Sequence, residues 1–105
     1  MNSAKLMLAL TGPAEMAKAL AQRVKALRLL KGWTQNTLAE RGGVTTASYR
    51  RFETTGKASL ELVLKVVHAL ARLEEFDQIL QPPPARSIEE LEQRTASPAR
   101  KRGRI

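Results

Sequence analysis

The side chains best suited to binding chemistry are two adjacent arginines, Arg50 and Arg51, which lie between the aromatic residues Tyr49 and Phe52. An arginine guanidinium can donate two parallel hydrogen bonds to a phosphate or to the O6 and N7 atoms of guanine. Aromatic residues three positions apart are typical of one face of a helix. The stretch "TTASYRRFE" therefore predicts a short helix that buries its aromatic residues and exposes its arginines.

A helical wheel at about 100° per residue makes the division sharper. One face of this helix carries Thr46, Ala47, Arg50 and Arg51, and the aromatic residues lie opposite. Small residues at the start of that face permit close approach to a surface, and the arginines follow one turn later. Ala47 and the Thr46 methyl group are suited to contact a thymine methyl group. From this helix alone, a solvated basic face explains the pattern equally well.

Length and composition restrict the class of protein. A chain of 105 residues suits one small domain with a tail. It has 18 Lys and Arg against 10 Asp and Glu, a net charge of +8, which favours nucleic acid or an anionic membrane surface as partner. It contains no cysteine, which excludes disulfides and thiolate metal sites. No apolar run approaches the ~20 residues that span a bilayer, so we expect a cytoplasmic, nucleoid-associated protein and no membrane partner.

Charge is segregated along the chain. Residues 23–57 contain eight basic and two acidic residues, whereas residues 58–92 contain three basic and seven acidic ones. Residues 93–105 contain five basic residues and no acidic one. The pattern predicts a basic face, an acidic face and a basic tail. Three uses of the tail remain open: following the DNA backbone, neutralising an acidic patch of a partner, or keeping the protein soluble.

Helix-start and helix-stop signals divide the chain into five short helices. A first helix over residues 14–31 would bury Met16, Leu20, Val24 and Leu27. The next three are predicted to begin after the N-cap residues Thr34, Thr45 and Ser59. Within the fourth, an apolar stripe comprises Leu60, Val63, Leu64, Val67 and Leu70. A short helix over residues 73–80 closes the domain.

The predicted organisation is an N-terminal segment (1–13), a helical domain (14–81), and a C-terminal segment (82–105). "KLMLAL" fits either a dimer edge strand or an extra helical turn, and the strand is slightly favoured. The triplet Pro82–Pro84 favours an extended spacer. Ser87 and Glu90 form a capping-box pattern, which predicts one or two helical turns. The basic run "RTASPARKRGRI" is expected to be a flexible, disordered tail.

A helix-turn-helix spacing connects the second and third predicted helices. It is carried by Gln35, Leu38, Ala39, Gly43, Val44, Tyr49 and Phe52. A small residue at Ala39 allows two helices to cross closely, and Gly43 can adopt the positive φ of the turn. Here the sequence resembles the phage-repressor and Cro-type (Xre) helix-turn-helix family, over "LRLLKGWTQNTLAERGGVTTASYRRFETTGKASLELVLKVVHAL". The resemblance implies an all-α, five-helix, phage-repressor-like DNA-binding domain.

The resemblance also implies roles for particular residues. Contacts with DNA phosphates fall to Gln35, Thr45 and Lys57, of which Lys57 is only a candidate because its loop is one residue shorter than the common pattern. Base reading in the major groove falls to Thr46, Ala47, Arg50 and Arg51. A structural pair joins Arg28 to Glu53. Gly42 replaces the usual apolar residue at its position, so we expect the second helix to end loosely.

The sequence has few features of an enzyme, a metal site or an RNA-binding protein. No Ser/His/Asp set, phosphate-binding glycine loop or catalytic carboxylate pair is present, so we expect no enzyme activity and no cofactor. His68 stands without a second metal-binding residue nearby, which argues against a metal site. Trp33 is expected to pack in the core rather than stack on a base. A general RNA-binding role is disfavoured by an aromatic content of 4%.

The whole-chain pattern is similar to the small antitoxin-side regulators encoded beside HipA-type kinase toxins. The similarity rests on "MLALTGPAEMAKAL", on "YRRFETTGKASLELVLKVVHALARL" and on a proline break followed by "RKRGRI". It implies a HipB-like homodimer that binds a double-stranded operator, represses its own operon and binds the kinase toxin. In the three-component HipBST arrangement, a small third protein joins the complex. The alternatives are a stand-alone Xre-type regulator and a scaffolding adaptor that has lost DNA binding.

Overall fold

The computed structural model describes residues 12–96, and all regular structure in that range is helical. The elements are α1 (Pro13–Leu30), α2 (Gln35–Gly42), α3 (Thr46–Thr55), α4 (Leu60–Ala69), a 3₁₀ helix (Leu73–Gln78) and α5 (Ile88–Ala96). The predicted all-α class is therefore confirmed. The proposed N-terminal strand and residues 97–105 of the proposed tail lie outside the described residues.

Three helices begin where local capping chemistry predicts. The side-chain oxygens of the N-caps accept hydrogen bonds from the main-chain N–H three residues later, namely Thr34 from Thr37 (3.0 Å), Thr45 from Ser48 (3.1 Å) and Ser59 from Leu62 (3.0 Å). Each such cap stabilises a helix by about 1 kcal/mol. The predicted starts of α2, α3 and α4 are thus confirmed.

Glycines in the left-handed conformation end α2 and α3. Gly43 has φ 72° and donates its N–H to the Ala39 carbonyl, so α2 ends at a defined cap. The expectation of a loose end at Gly42 was wrong, because the next residue supplies that cap. Gly56 has φ 81°, and a Cβ atom there would lie 2.9 Å from the Lys18 nitrogen on α1. A glycine is therefore required where the end of α3 touches the backbone of α1.

The core lies where α1 packs against α3, and where α2 packs against α3 and α4. Its largest fully buried side chains are Tyr49, Phe52, Leu38 and Val66. Trp33 is half-buried and packs against this core, as expected. Met16 was expected in the core but is 42% exposed, and the buried apolar positions of α1 are Ala21 and Val24. Leu20 and Leu27, also predicted for this face, are half-buried and pack against the core.

The buried face of α4 differs from the predicted stripe. The structure buries Leu62, Val63, Val66, Val67 and Leu70, whereas Leu60 is 66% exposed and Leu64 is half-buried. Both stripes obey helical spacing and share three residues, so periodicity alone could not choose between them. The choice follows from the position of α2, which packs against α4.

The C-terminal elements correct two expectations and confirm a third. The helix after α4 is a 3₁₀ helix that ends at Gln78 rather than at Leu80, because Ile79 adopts an extended conformation. α5 continues to Ala96, so residues 94–96 are helical rather than part of a disordered tail. The helix predicted after Ser87 is present: Ser87 accepts from the N–H of Glu90 at 3.1 Å, while the Glu90 carboxylate accepts from the N–H of Arg86 rather than from that of Ser87. Residues 81–85, with the proline triplet, form no regular element.

Candidate nucleic-acid interface

α3 has two chemically different faces. Tyr49, Phe52 and Glu53 are buried, with at most 5% of each residue exposed. On the other side, the four residues assigned to base reading are half-buried Thr46 and exposed Ala47, Arg50 and Arg51. The single acidic residue of α3 is therefore withdrawn from the surface that presents both arginines. The exposed face has an uncompensated positive charge.

The acid is held by the arginine that the family resemblance assigned to it. Arg28 Nε donates to Glu53 Oε2 at 2.9 Å, and Arg28 Nη2 donates to Glu53 Oε1 at 3.0 Å. Arg28 Nη1 also donates to the Trp33 carbonyl at 2.8 Å. The Tyr49 hydroxyl donates to Glu53 Oε2 from within the same helix. The pair thus joins the end of α1 to the end of α3.

The surroundings of Glu53 keep it ionised. Burial acts to raise the pKa of its carboxyl group, but hydrogen bonds from Arg28, Tyr49 and Gln35 outweigh it, and the pKa is lowered. Burial is also the main cause that raises the pKa of Tyr49, with the Glu53 carboxylate adding to it. The hydrogen bond to Glu53 raises the pKa of Arg28. A buried charge with this many partners is satisfied rather than strained.

Gln35 stands between this buried pair and the exposed face. Its amide Nε2 donates to Glu53 Oε1 at 2.7 Å, and its Oε1 accepts from Arg50 Nε at 3.0 Å. The family resemblance assigned Gln35 to a DNA phosphate, and the structure places its side chain against two protein groups. The contact with Arg50 was not expected, because residues 35 and 50 are on different helices.

A second contact of this kind involves a residue that sequence reasoning missed. Thr46 Oγ1 donates to Asn36 Oδ1 at 2.7 Å, so the first residue of α3 is joined to the second residue of α2. The available signal was the polar character of both helix starts, and the packing of α2 against α3 brings the two residues together. Two of the four candidate reading residues, Thr46 and Arg50, are therefore held by α2.

The candidate phosphate contacts lie at the edges of this surface. The main-chain N–H groups of Gln35 and Asn36 belong to the first turn of α2, where no intrahelical acceptor exists. The Thr45 hydroxyl is used within its own cap, where it accepts from the Ser48 N–H and donates to Ser48 Oγ at 2.9 Å. Lys57 is exposed in the connection between α3 and α4, beyond Gly56. The structure brings Gln35 to the arginine face and leaves Lys57 at its far end.

Two cations cover the Trp33 ring. The Arg41 guanidinium carbon lies 4.5 Å from the ring centroid, and the Lys31 ammonium lies 5.3 Å from it. Both cations lie within about 6 Å of the ring centroid, the range in which a cation is attracted to an aromatic ring. Elsewhere within residues 12–96, no cluster of three or more potential metal ligands is found, and no helix is both long and apolar enough to cross a bilayer.

Comparison with known proteins agrees with this geometry. Residues 24–76, half of the chain, match a protein-family model described as helix-turn-helix. The matched region begins in α1 and ends in the 3₁₀ helix, so it contains α2, α3 and the connecting turn. Comparisons with curated proteins and with solved structures found no match.

Proposed function

Because the chain belongs to the Xre-type helix-turn-helix family of DNA-binding transcription regulators, we propose that it is a sequence-specific transcriptional repressor. The observation that carries the proposal is the outward face of α3. It presents Arg50 and Arg51, while the only acid of that helix, Glu53, is buried and paired with Arg28. Such a face suits the negative potential of a DNA groove.

In this proposal α3 enters the major groove. Arg50 and Arg51 donate to guanine O6 and N7, and Ala47 with the Thr46 methyl group contacts thymine methyl groups. The first turn of α2 offers its free N–H groups to a phosphate, which fixes the register of α3 on the duplex. Lys57 and the cap residue Thr45 contact the adjacent backbone.

We further propose that the protein binds its operator as a homodimer. One recognition helix buries little surface, and two half-sites about one helical turn apart multiply affinity and specificity. A two-fold symmetric dimer then predicts an operator with inverted symmetry.

The proposed context is a toxin–antitoxin operon that the protein autoregulates from the cytoplasm. Its support is the similarity of "YRRFETTGKASLELVLKVVHALARL" and of the proline break to HipB-like regulators, which bind a HipA-type kinase toxin and, in some operons, a small third component. The charge pattern fits a second partner surface, since Glu74, Glu75, Asp77 and Glu89 are exposed and repel DNA.

A gel shift on the protein's own promoter tests the proposal, with and without its co-expressed neighbouring gene products. The matched control is the Arg50→Ala/Arg51→Ala double variant, whose changes lie on the exposed face and leave the core intact. A repressor shifts the promoter and prefers it to a scrambled duplex of equal length. Equal binding to both duplexes contradicts sequence-specific repression, and no binding to either duplex supports the adaptor alternative. Specific binding by a protein that co-purifies with none of its neighbouring gene products supports a stand-alone regulator.

A further inference from the structure

The side-chain amide of Gln35 connects a buried anion to a surface cation. Its nitrogen is 2.7 Å from Glu53 Oε1, and its oxygen is 3.0 Å from Arg50 Nε. Glu53 is only 5% exposed and is bound to Arg28, which anchors it to α1. Arg50 would otherwise be an exposed side chain with several free torsions.

The chemistry of the two ends determines how the amide must lie. A carboxylate can only accept hydrogen bonds, and a guanidinium can only donate them. The Gln35 NH₂ group must therefore face Glu53, and its carbonyl oxygen must face Arg50. A glutamate at position 35 would repel Glu53, and a lysine would repel Arg50. A side-chain amide is thus the group that bridges these two residues.

The bridge has a direct consequence for the reading surface. With Nε engaged, the Arg50 guanidinium keeps its two terminal nitrogens, Nη1 and Nη2, free to donate as a fork. Holding the side chain before DNA arrives reduces the rotamer freedom that is lost on binding. The Arg51 side chain, in contrast, makes no hydrogen bond or ion pair within residues 12–96.

We propose that Gln35 is a positioning residue for base recognition, which holds the Arg50 guanidinium against the buried Glu53–Arg28 pair and presents its terminal fork to a guanine edge. The inference rests on the proposed DNA-binding function and deepens it. It assigns the Gln35 side chain a role in specificity, and leaves phosphate binding at this helix start to main-chain N–H groups. Arg50 is then the pre-oriented reader, and Arg51 adjusts on binding.

The contact between Asn36 and Thr46 also shows a side chain of α2 positioning a candidate reading residue of α3. The hydroxyl of Thr46 donates to Asn36 Oδ1 at 2.7 Å, so the residue that follows Gln35 holds another candidate reader. The first two residues of α2 therefore orient side chains on the exposed face of α3, one turn apart.

A measurement on the free protein tests the bridge without DNA. In a ¹⁵N-labelled sample, the Arg50 Nε–H should give a resolved NMR signal that is protected from solvent exchange relative to that of Arg51. Gln35→Met keeps the side-chain length and removes both hydrogen bonds, so it should abolish this protection. The matched control Arg51→Met should leave it unchanged. An Arg50 Nε–H that exchanges equally fast in the wild type and in Gln35→Met overturns the inference.

Binding to DNA tests the consequence for specificity. The probe is a duplex that the wild-type protein selects from a randomised pool, compared with a scrambled duplex of the same composition. Arg50→Met should reduce the preference for the selected duplex by about 5- to 150-fold, the range expected when a bidentate arginine–guanine pair is removed. Gln35→Met should reduce the preference when Arg50 is present, and change it by less than about twofold in the Arg50→Met background. In the Arg51→Met background, Gln35→Met should retain its full effect.

The outcomes separate this inference from the function on which it rests. If Gln35→Met weakens the selected and scrambled duplexes by the same factor, with or without Arg50, the side chain is a phosphate contact and the inference fails. If the wild-type protein selects no sequence, the proposed function fails, and the exchange of the Arg50 Nε–H still decides whether the bridge exists. Thermal unfolding of each variant above the assay temperature ensures that folded proteins are compared.

Discussion

Arg28 and Glu53, 25 positions apart in the sequence, form a bidentate ion pair that joins the end of α3 to α1. The Glu53 carboxylate also accepts hydrogen bonds from Tyr49, in the core, and from Gln35, at the start of α2. Through Gln35 it is connected to Arg50 on the surface. The ion pair therefore links the stability of the domain to the shape of its exposed arginine face.

The first prediction concerns the free energy of this pair. Arg28→Ala and Glu53→Ala should each destabilise the domain by about 3–5 kcal/mol, because each leaves a buried charge without its main partner. The double variant should lose much less unfolding free energy than the sum of the losses in the two single variants. Urea unfolding of the four proteins gives the coupling free energy. Effects that add within about 0.5 kcal/mol would show that the pair does not stabilise the domain.

The second prediction concerns acid stability. The pKa of Glu53 is lowered in the folded protein from an ordinary value of 4.5, so the unfolded chain binds more protons as the pH falls. The contribution of Glu53 is fully present above that ordinary value and is lost as the pH falls through the folded value. Glu53→Gln cannot titrate, so its deficit in unfolding free energy should shrink below about pH 4.5. A deficit that stays constant down to about pH 3 contradicts this.

The third prediction compares two glycines with positive φ. Gly32→Ala should cost about 1–2 kcal/mol, the usual penalty of the left-handed conformation, since open space surrounds Gly32. Gly56→Ala meets the backbone of Ala17 and Lys18 as well, which should add roughly 1–3 kcal/mol. Thermal or urea unfolding measures both. Equal losses for the two variants would show that α1 moves away from Gly56 at no cost.

The fourth prediction separates base reading from electrostatic attraction. Arg51→Ala should cost about 1–3 kcal/mol on the operator and less on random DNA. Deleting residues 97–105, which begins beyond α5, removes four positive charges and should weaken both DNAs alike. Each phosphate that is no longer neutralised after the deletion flattens the log–log salt dependence by about 0.9. Measuring the affinity for both DNAs at several salt concentrations distinguishes base reading by Arg51 from electrostatic attraction by the tail.

Should Arg51→Ala weaken both DNAs equally, α3 holds the duplex by charge without reading it through this residue. The tail deletion serves as the control for a purely electrostatic loss. An unchanged salt dependence after the deletion would exclude the tail from contact with phosphates.

The fifth prediction concerns the proposed kinase-toxin partner. Truncation after Leu80 removes the proline spacer and α5, and should weaken assembly with the toxin complex while operator binding persists. In α5, Ile88 is 73% exposed and Leu91 is 51% exposed, so both are available to a partner. Ile88→Ser/Leu91→Ser in the full chain should weaken assembly to a similar extent. Co-purification and titration measure assembly with the toxin complex. If the truncated protein assembles with the same affinity as the full chain, the docking surface lies elsewhere.

Sequence patterns alone were sufficient for the local features of this protein. The N-caps at Thr34, Thr45 and Ser59 and the two faces of α3 depend on residues within about one helical turn, where spacing and side-chain chemistry determine the outcome. The pairing of Arg28 with Glu53 came from the resemblance to a family, because no local rule connects residues so far apart.

Only the tertiary structure decided which of two overlapping stripes α4 buries, since helical periodicity permits both and the position of α2 selects one. It also decided the surroundings of Gln35. The family resemblance assigned Gln35, at the start of α2, to a DNA phosphate. The crossing of α2 and α3 places its amide between Glu53 and Arg50 instead, because hydrogen bonds between helices depend on their relative position, which spacing within one helix does not encode.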